Sequence, residues 1–141
     1  MMKALEHLNG ISANDCRRLR SAGIPHTNRL LHAATLDIDR RRLAARTGIS
    51  PDRLLELAKQ CSLLEVSGLD RFVPLVRRLG ITSMKDLKRQ DPEGLYGKVV
   101  AAVGTAQAPS LSEVQYWISQ ARLCDVIEEE PEERRPVPAI T

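Results

Sequence analysis

The chain reads as an all-α protein of about eight or nine short helices. Composition carries part of that reading: aromatic residues are only 3% of the 141 residues, whereas strands enrich aromatic and β-branched side chains. The chain is instead rich in Leu, Ala and Arg, which favour helix, so its core must be aliphatic. Punctuation carries the rest, because Ser, Asp and Gly recur where helices start and stop. A length of 141 residues with 43% hydrophobic and 28% charged residues fits one globular domain, by the usual prior of roughly 100–200 residues. A chain this long buries enough surface to hold a core without disulfide or metal.

The elements follow in order. Ser12 is an N-cap with Asp15 in the first turn, and the helix over Ala13–Ala22 stops at Gly23, a left-handed position. Cys16 and Leu19 share its apolar face, and arginines cover the other. Short helices are expected over Thr27–Ala34 and Ile38–Thr47, the second closed by Gly48. Ser50-Pro51-Asp52 is a cap, a first-turn proline and a first-turn acid, opening a helix that runs to Leu64. Residues 71–79 form a helix with Asp70 as cap and Gly80 as stop, and Pro74 falls early enough to be tolerated. Helices over Ser83–Arg89 and Pro92–Val103 come next, the latter weakened by Gly94 and Gly97. Ser110-Leu111-Ser112-Glu113 is a capping-box pattern opening a last helix to about Ile127. Trp117 reads there as a core anchor. Residues 128–141 hold three prolines and mixed charge, and are expected to be a disordered tail beyond a domain over residues 1–127.

An internal repeat runs through this pattern. Aligning Gly23-Ile24 with Gly80-Ile81 pairs Cys16 with Val73, Leu19 with Val76, Ala22 with Leu79 and Leu30 with Leu87. Upstream, Leu8-Asn9-Gly10-Ile11 matches Val66-Ser67-Gly68-Leu69. Two copies are too few for a solenoid; two related units packed together is the simpler arrangement.

Charge points to an anionic partner. The formal net charge is +3, but residues 125–141 hold six acids and two arginines, so residues 1–124 carry 19 basic and 12 acidic residues. That body is +7 and mostly arginine, which suits nucleic acid, although any single arginine cluster also reads as a solvated helix face. The N-terminal stretch has no apolar run of a secretory signal, and no segment approaches the ~18 apolar residues of a membrane helix. Cys16, Cys61 and Cys124 are odd in number and widely spaced, which suits buried thiols in a reducing cytoplasm.

Gly10-Ile11-Ser12 … Leu19-x-x-x-Gly23-Ile24 … Leu30-Leu31 resembles the helix-hairpin-helix superfamily. More closely, the chain is similar to an uncharacterised bacterial family, the DUF4332 domain, which carries two such units. Residues Arg42–Ser50 resemble that family's linker, Leu64–Leu69 its second hairpin, and Val114–Ala121 its closing helix. The likeness spans about residues 5–127. It implies a tandem helix-hairpin-helix fold and, from the superfamily, binding to nucleic-acid backbones without reading sequence. In that mode a Gly-apolar-Gly hairpin brings backbone amides to a phosphate at a helix N-terminus. Both copies depart from it: Ser12 stands in place of the second glycine in the first hairpin, and Asp70 in the second, where a carboxylate repels phosphate.

The expected nucleic-acid contacts are therefore Gly10, Ile11 and Ser12 with Arg17, Arg18 and Arg20, and secondarily Arg71, Arg77 and Arg78. Ala44-x-x-x-Gly48-x-x-x-x-x-Leu54 also has helix-turn-helix spacing, but its second helix is too apolar to read base edges. Enzymatic chemistry lacks a basis: His7, His26 and His32 sit in no nucleophile or metal pattern, there is no phosphate loop, and acids cluster only in the tail. A non-enzymatic binding module without cofactor or metal is expected. The alternative is a protein-interaction or assembly domain in which the hairpins are purely structural.

Overall fold

The computed structural model describes residues 2–124; the expected tail over 128–141 lies outside them. Among the described residues eight α-helices are present: α1 (Ala13–Ser21), α2 (Thr27–Ala34), α3 (Asp37–Thr47), α4 (Pro51–Leu64), α5 (Val73–Arg78), α6 (Met84–Lys88), α7 (Pro92–Val103) and α8 (Leu111–Arg122). The all-α fold class is as the sequence predicts. The one β feature among these residues is an isolated bridge between Ala4 and His26.

Local chemistry sets the helix starts. The hydroxyls of Ser12, Ser50, Ser83 and Ser110 each accept from the third helical backbone amide, and the Asp91 carboxylate does so for α7. His26 is a cap as well, its Nδ1 accepting from the Arg29 amide at 3.3 Å. The reciprocal capping box forms at Ser12 and Asp15, whereas at Ser110 the hydroxyl arm alone is seen. Gly23, Gly48 and Gly80 end helices with φ of +86°, +76° and +93°, the left-handed conformation that glycine adopts without steric cost.

Beyond shifts of one residue at helix ends, three features differ from expectation. Leu5–His7 forms a 3-10 turn that the sequence pattern does not announce. The helix expected over 71–79 is split into a 3-10 turn, Asp70–Phe72, and a shorter α5. Asp70 does not cap it, because its carboxylate pairs instead with Lys3 Nζ at 3.1 Å. The last helix stops at Arg122 with Leu123 as its cap residue, short of Ile127, where the sequence offers no glycine to mark the end.

Packing follows the repeat. In the first unit, residues 8–64, α2 and α3 pack on α4; in the second, residues 66–124, α6 and α7 pack on α8, and α4 joins the units through α5 and α6. A single core results, built from Leu, Ile, Val, Ala and Cys, in which Trp117 is the one fully buried aromatic ring. Cys16 and Cys61 are buried in it and Cys124 is half-buried. Burial, with the nearby Glu65 charge adding, pushes the Cys61 thiol up to about 12, so this cysteine is a small core side chain and not a nucleophile.

Each unit closes on its own first turn by the same device. The Gln60 side chain of α4 accepts from the Asn9 amide at 2.9 Å and donates to the Asn9 carbonyl at 3.0 Å. Gln120 of α8 does the same to Ser67, at 2.8 and 3.1 Å. These are the residues just before Gly10 and Gly68, whose φ values of +82° and +84° show the same turn in both copies.

Candidate nucleic-acid interface

The first turn is held from inside the molecule. Ser12 Oγ accepts from the Asp15 amide at 3.0 Å, and Asp15 Oδ2 accepts from the Ser12 amide at 3.3 Å. That amide is one of the donors a phosphate would use, and a carboxylate already holds it. Arg53 of α4 locks the arrangement, its guanidinium donating to the Gly10 carbonyl and to Asp15 Oδ2 at 3.0 and 3.2 Å. Burial works to raise the Asp15 pKa, but the Ser12 bonds and the Arg53 charge outweigh it, so the group ionises below the ordinary carboxylate range. Ile11 is half-buried against the core.

The arginines of α1 diverge. Arg17 is exposed and donates to Asn14 Oδ1 at 3.2 Å. Arg18 is exposed beside Gly48, its Nη1 3.6 Å from where a Cβ would sit on that glycine. Arg20 forms a two-pronged pair with Glu6, at 2.7 and 2.6 Å. Bonding from Arg20 holds the Glu6 carboxyl down to about 2. A depressed carboxylate pKa means the pair's contribution is complete above the unfolded value of 4.5 and is lost as pH falls from there towards about 2. An NMR titration of the Glu6 carboxyl carbon is expected to show this low midpoint. In Arg20→Ala the midpoint is expected to return to the ordinary range, and an unchanged midpoint would contradict the pairing.

The second unit's arginines come closer to the first turn than sequence order suggests. A groove of about 660 Å³ runs between the units, with Gly10 and His7 on one wall and Arg77 and Arg78 of α5 on the other. A recess of about 290 Å³, lined among others by Asn9, Arg71 and Arg77, lies against the same elements. Arg77 is half-buried, with Nη2 3.4 Å from Glu56 Oε1, while its Nε is buried without a hydrogen-bond partner. Arg78 is exposed, and Arg71 lies over the Phe72 ring, 5.5 Å from its centroid. So the structure gathers Gly10, Arg77 and Arg78 at one groove and places Arg17 and Arg18 outside it.

Sequence reasoning missed Arg53, Gln60 and Asp15 as the groups that shape this turn. Arg53 and Gln60 act across 43 and 51 residues, and local spacing carries no sign of such partners. Asp15 was visible as a first-turn acid, but its grip on the Ser12 amide is a matter of geometry.

Among the described residues no three His, Cys, Asp or Glu side chains are grouped so as to hold a metal ion. No helix there is long and apolar enough to cross a membrane. No curated protein and no solved structure matches the chain. Residues 9–123 match the family described as a domain of unknown function, DUF4332, and the chain belongs to that family.

Proposed function

We propose that the domain is a cytoplasmic, non-enzymatic module that grips a nucleic-acid backbone without reading its sequence, in the manner of helix-hairpin-helix proteins. The observation that carries this is how charge is partitioned around the first turn. The acids there are already matched: Glu6 by Arg20, Asp15 by Arg53, Asp70 by Lys3 and Glu56 by Arg77. Arg17, Arg18, Arg71 and Arg78 have no acidic partner among the described residues, so their charge is available to phosphates. Because the Ser12 amide is taken by Asp15, guanidinium groups do the gripping and the hairpin amides do not. Such contacts go to phosphate oxygens and carry no information about base identity.

Fluorescence anisotropy with labelled single- and double-stranded oligonucleotides tests this. Binding is expected to weaken with salt by about 0.9 log units per log unit of salt for each duplex phosphate neutralised. Replacing Arg17, Arg18 and Arg78 together with alanine is expected to flatten that slope and weaken all sequences alike. An unchanged slope in the triple variant would remove these residues from the interface.

A second reading has its own support. Polar groups at both turns are already engaged within the chain, Ser12 with Asp15 and Asp70 with the distant Lys3, as expected of hairpins that serve only as architecture in a protein-interaction domain. Absence of oligonucleotide binding at low salt decides for it.

A further inference from the structure

One of the differences between the two copies, at the position of Arg53, opens a site. Shifting α4 by sixty residues onto α8 pairs Ser50 with Ser110, Gln60 with Gln120, Leu57 with Trp117 and Arg53 with Glu113. The shared caps and the shared glutamine bonds to the turns show that this register is structural. In the first copy Arg53 covers the turn, donating to the Gly10 carbonyl and to Asp15. Only about 50 Å³ is left between Gly10, Arg53 and Leu57. Glu113 has no proton to donate when ionised, and the Gly68 carbonyl has no partner among the described residues. The space there grows to about 300 Å³.

Its walls have a definite chemistry. Phe72 and Tyr116 supply aromatic surface over the buried Trp117, with Gly68 and Glu113 at the polar side. Asp70 also reaches it, but its charge is spent on Lys3 at 3.1 Å. Glu113 makes no ion pair or side-chain hydrogen bond among the described residues, so it is the free carboxylate of the site, with the Arg71 guanidinium a competing cation at its edge. An anionic backbone is repelled by that carboxylate. A guanidinium suits it: planar, with five donors to share between a carbonyl and a carboxylate, and a face that stacks on aromatic rings. Arg71, at the edge of the same space, already lies over Phe72, so the chain itself shows that this ring accepts a guanidinium.

We infer that the second turn receives an arginine side chain of a partner protein, which makes from outside the contact that Arg53 makes from within at the first turn. This goes beyond the backbone-binding reading and does not depend on it. Trp117 is the chain's only tryptophan, so its indole N–H is a single, unambiguous NMR reporter at the site. The full chain is titrated with N-acetyl-arginine amide, N-acetyl-lysine amide and N-acetyl-citrulline amide, the last being a neutral near-copy of arginine. The indole signal is expected to move saturably with the arginine compound, less with lysine and not with citrulline. Glu113→Gln is expected to weaken binding about tenfold, the scale of one charge-assisted hydrogen bond. Glu113→Arg, which recreates the first copy's plug, is expected to abolish it, and Arg71→Ala to leave it intact or stronger. Glu113 is exposed, so these variants keep the fold, and circular dichroism confirms that. No saturable shift, equal response to citrulline, or undiminished binding in both Glu113 variants would overturn the proposal.

Discussion

Replacing Arg40 with alanine is expected to destabilise the domain by about 3–5 kcal/mol, the usual result of removing one partner from a buried charged network. Arg40 sits in the middle of an Arg-Arg-Arg run yet is 1% exposed. Helix α2 has no glycine stop; the Thr35 hydroxyl donates to the Leu31 carbonyl, and the carbonyls beyond it need partners from elsewhere. The Arg40 guanidinium takes that role, donating to the Ala34 carbonyl at 2.9 Å and the Thr35 carbonyl at 3.4 Å. It also donates to Asp37 Oδ1 at 3.3 Å, and Asp37 is itself buried. One side chain therefore ends α2, begins α3 and fills volume in the core. Arg41 pairs with the same Asp37 at 3.1 Å but is 68% exposed, so Arg41→Ala is expected to cost less than about 1 kcal/mol. Urea denaturation of the two variants side by side checks the contrast. A small and equal loss in both would mean that the Arg40 contacts are replaced by water.

Trp117→Ala is expected to cost a similar 3–5 kcal/mol, from lost transfer energy and the cavity left behind. The ring is 1% exposed and packs against Phe72 with centroids 5.4 Å apart. It also lies beneath the second turn: a Cβ added to Gly68 would stand 3.4 Å from the indole nitrogen. No other aromatic ring is fully buried, so the α6, α7 and α8 packing has no second anchor of that size. Trp117→Leu, which installs the residue of the first copy's Leu57, is expected to recover part of the loss. Denaturation followed by circular dichroism measures it, and a cost below about 1 kcal/mol for the alanine variant would show that the second unit draws its stability from elsewhere.

Helix positions were largely legible because the chemistry that sets them is local. Ser12, Ser50 and Ser110 lie within three residues of the amides they cap, and Gly23, Gly48 and Gly80 supply left-handed backbone where each helix ends. Thr27–Ala34 and Pro92–Val103 match expectation at both ends. Where no such residue exists, as after Arg122, the boundary was not readable. Arg40 illustrates a different limit. Its spacing to Leu43 and Thr47 places it on the buried face of α3, but a triple-arginine run reads as solvent-facing charge unless that spacing is weighed first. The candidate interface was legible in composition and not in arrangement. Arginine excess pointed to anions, but whether a given arginine is committed depends on acids distant in sequence, such as Glu6 for Arg20 and Glu56 for Arg77.

The glutamine clasps have a consequence for how the domain behaves when its surroundings change. A primary amide bonded twice to a backbone peptide group contains nothing that titrates and nothing that salt screens. Acid that discharges Glu6, or salt that loosens Arg53 from Asp15, leaves Gln60 on Asn9 and Gln120 on Ser67 untouched. Each unit is thus latched shut by neutral chemistry beneath a charged exterior. The two clasps stay constant over conditions in which the charges around them are switched on or off.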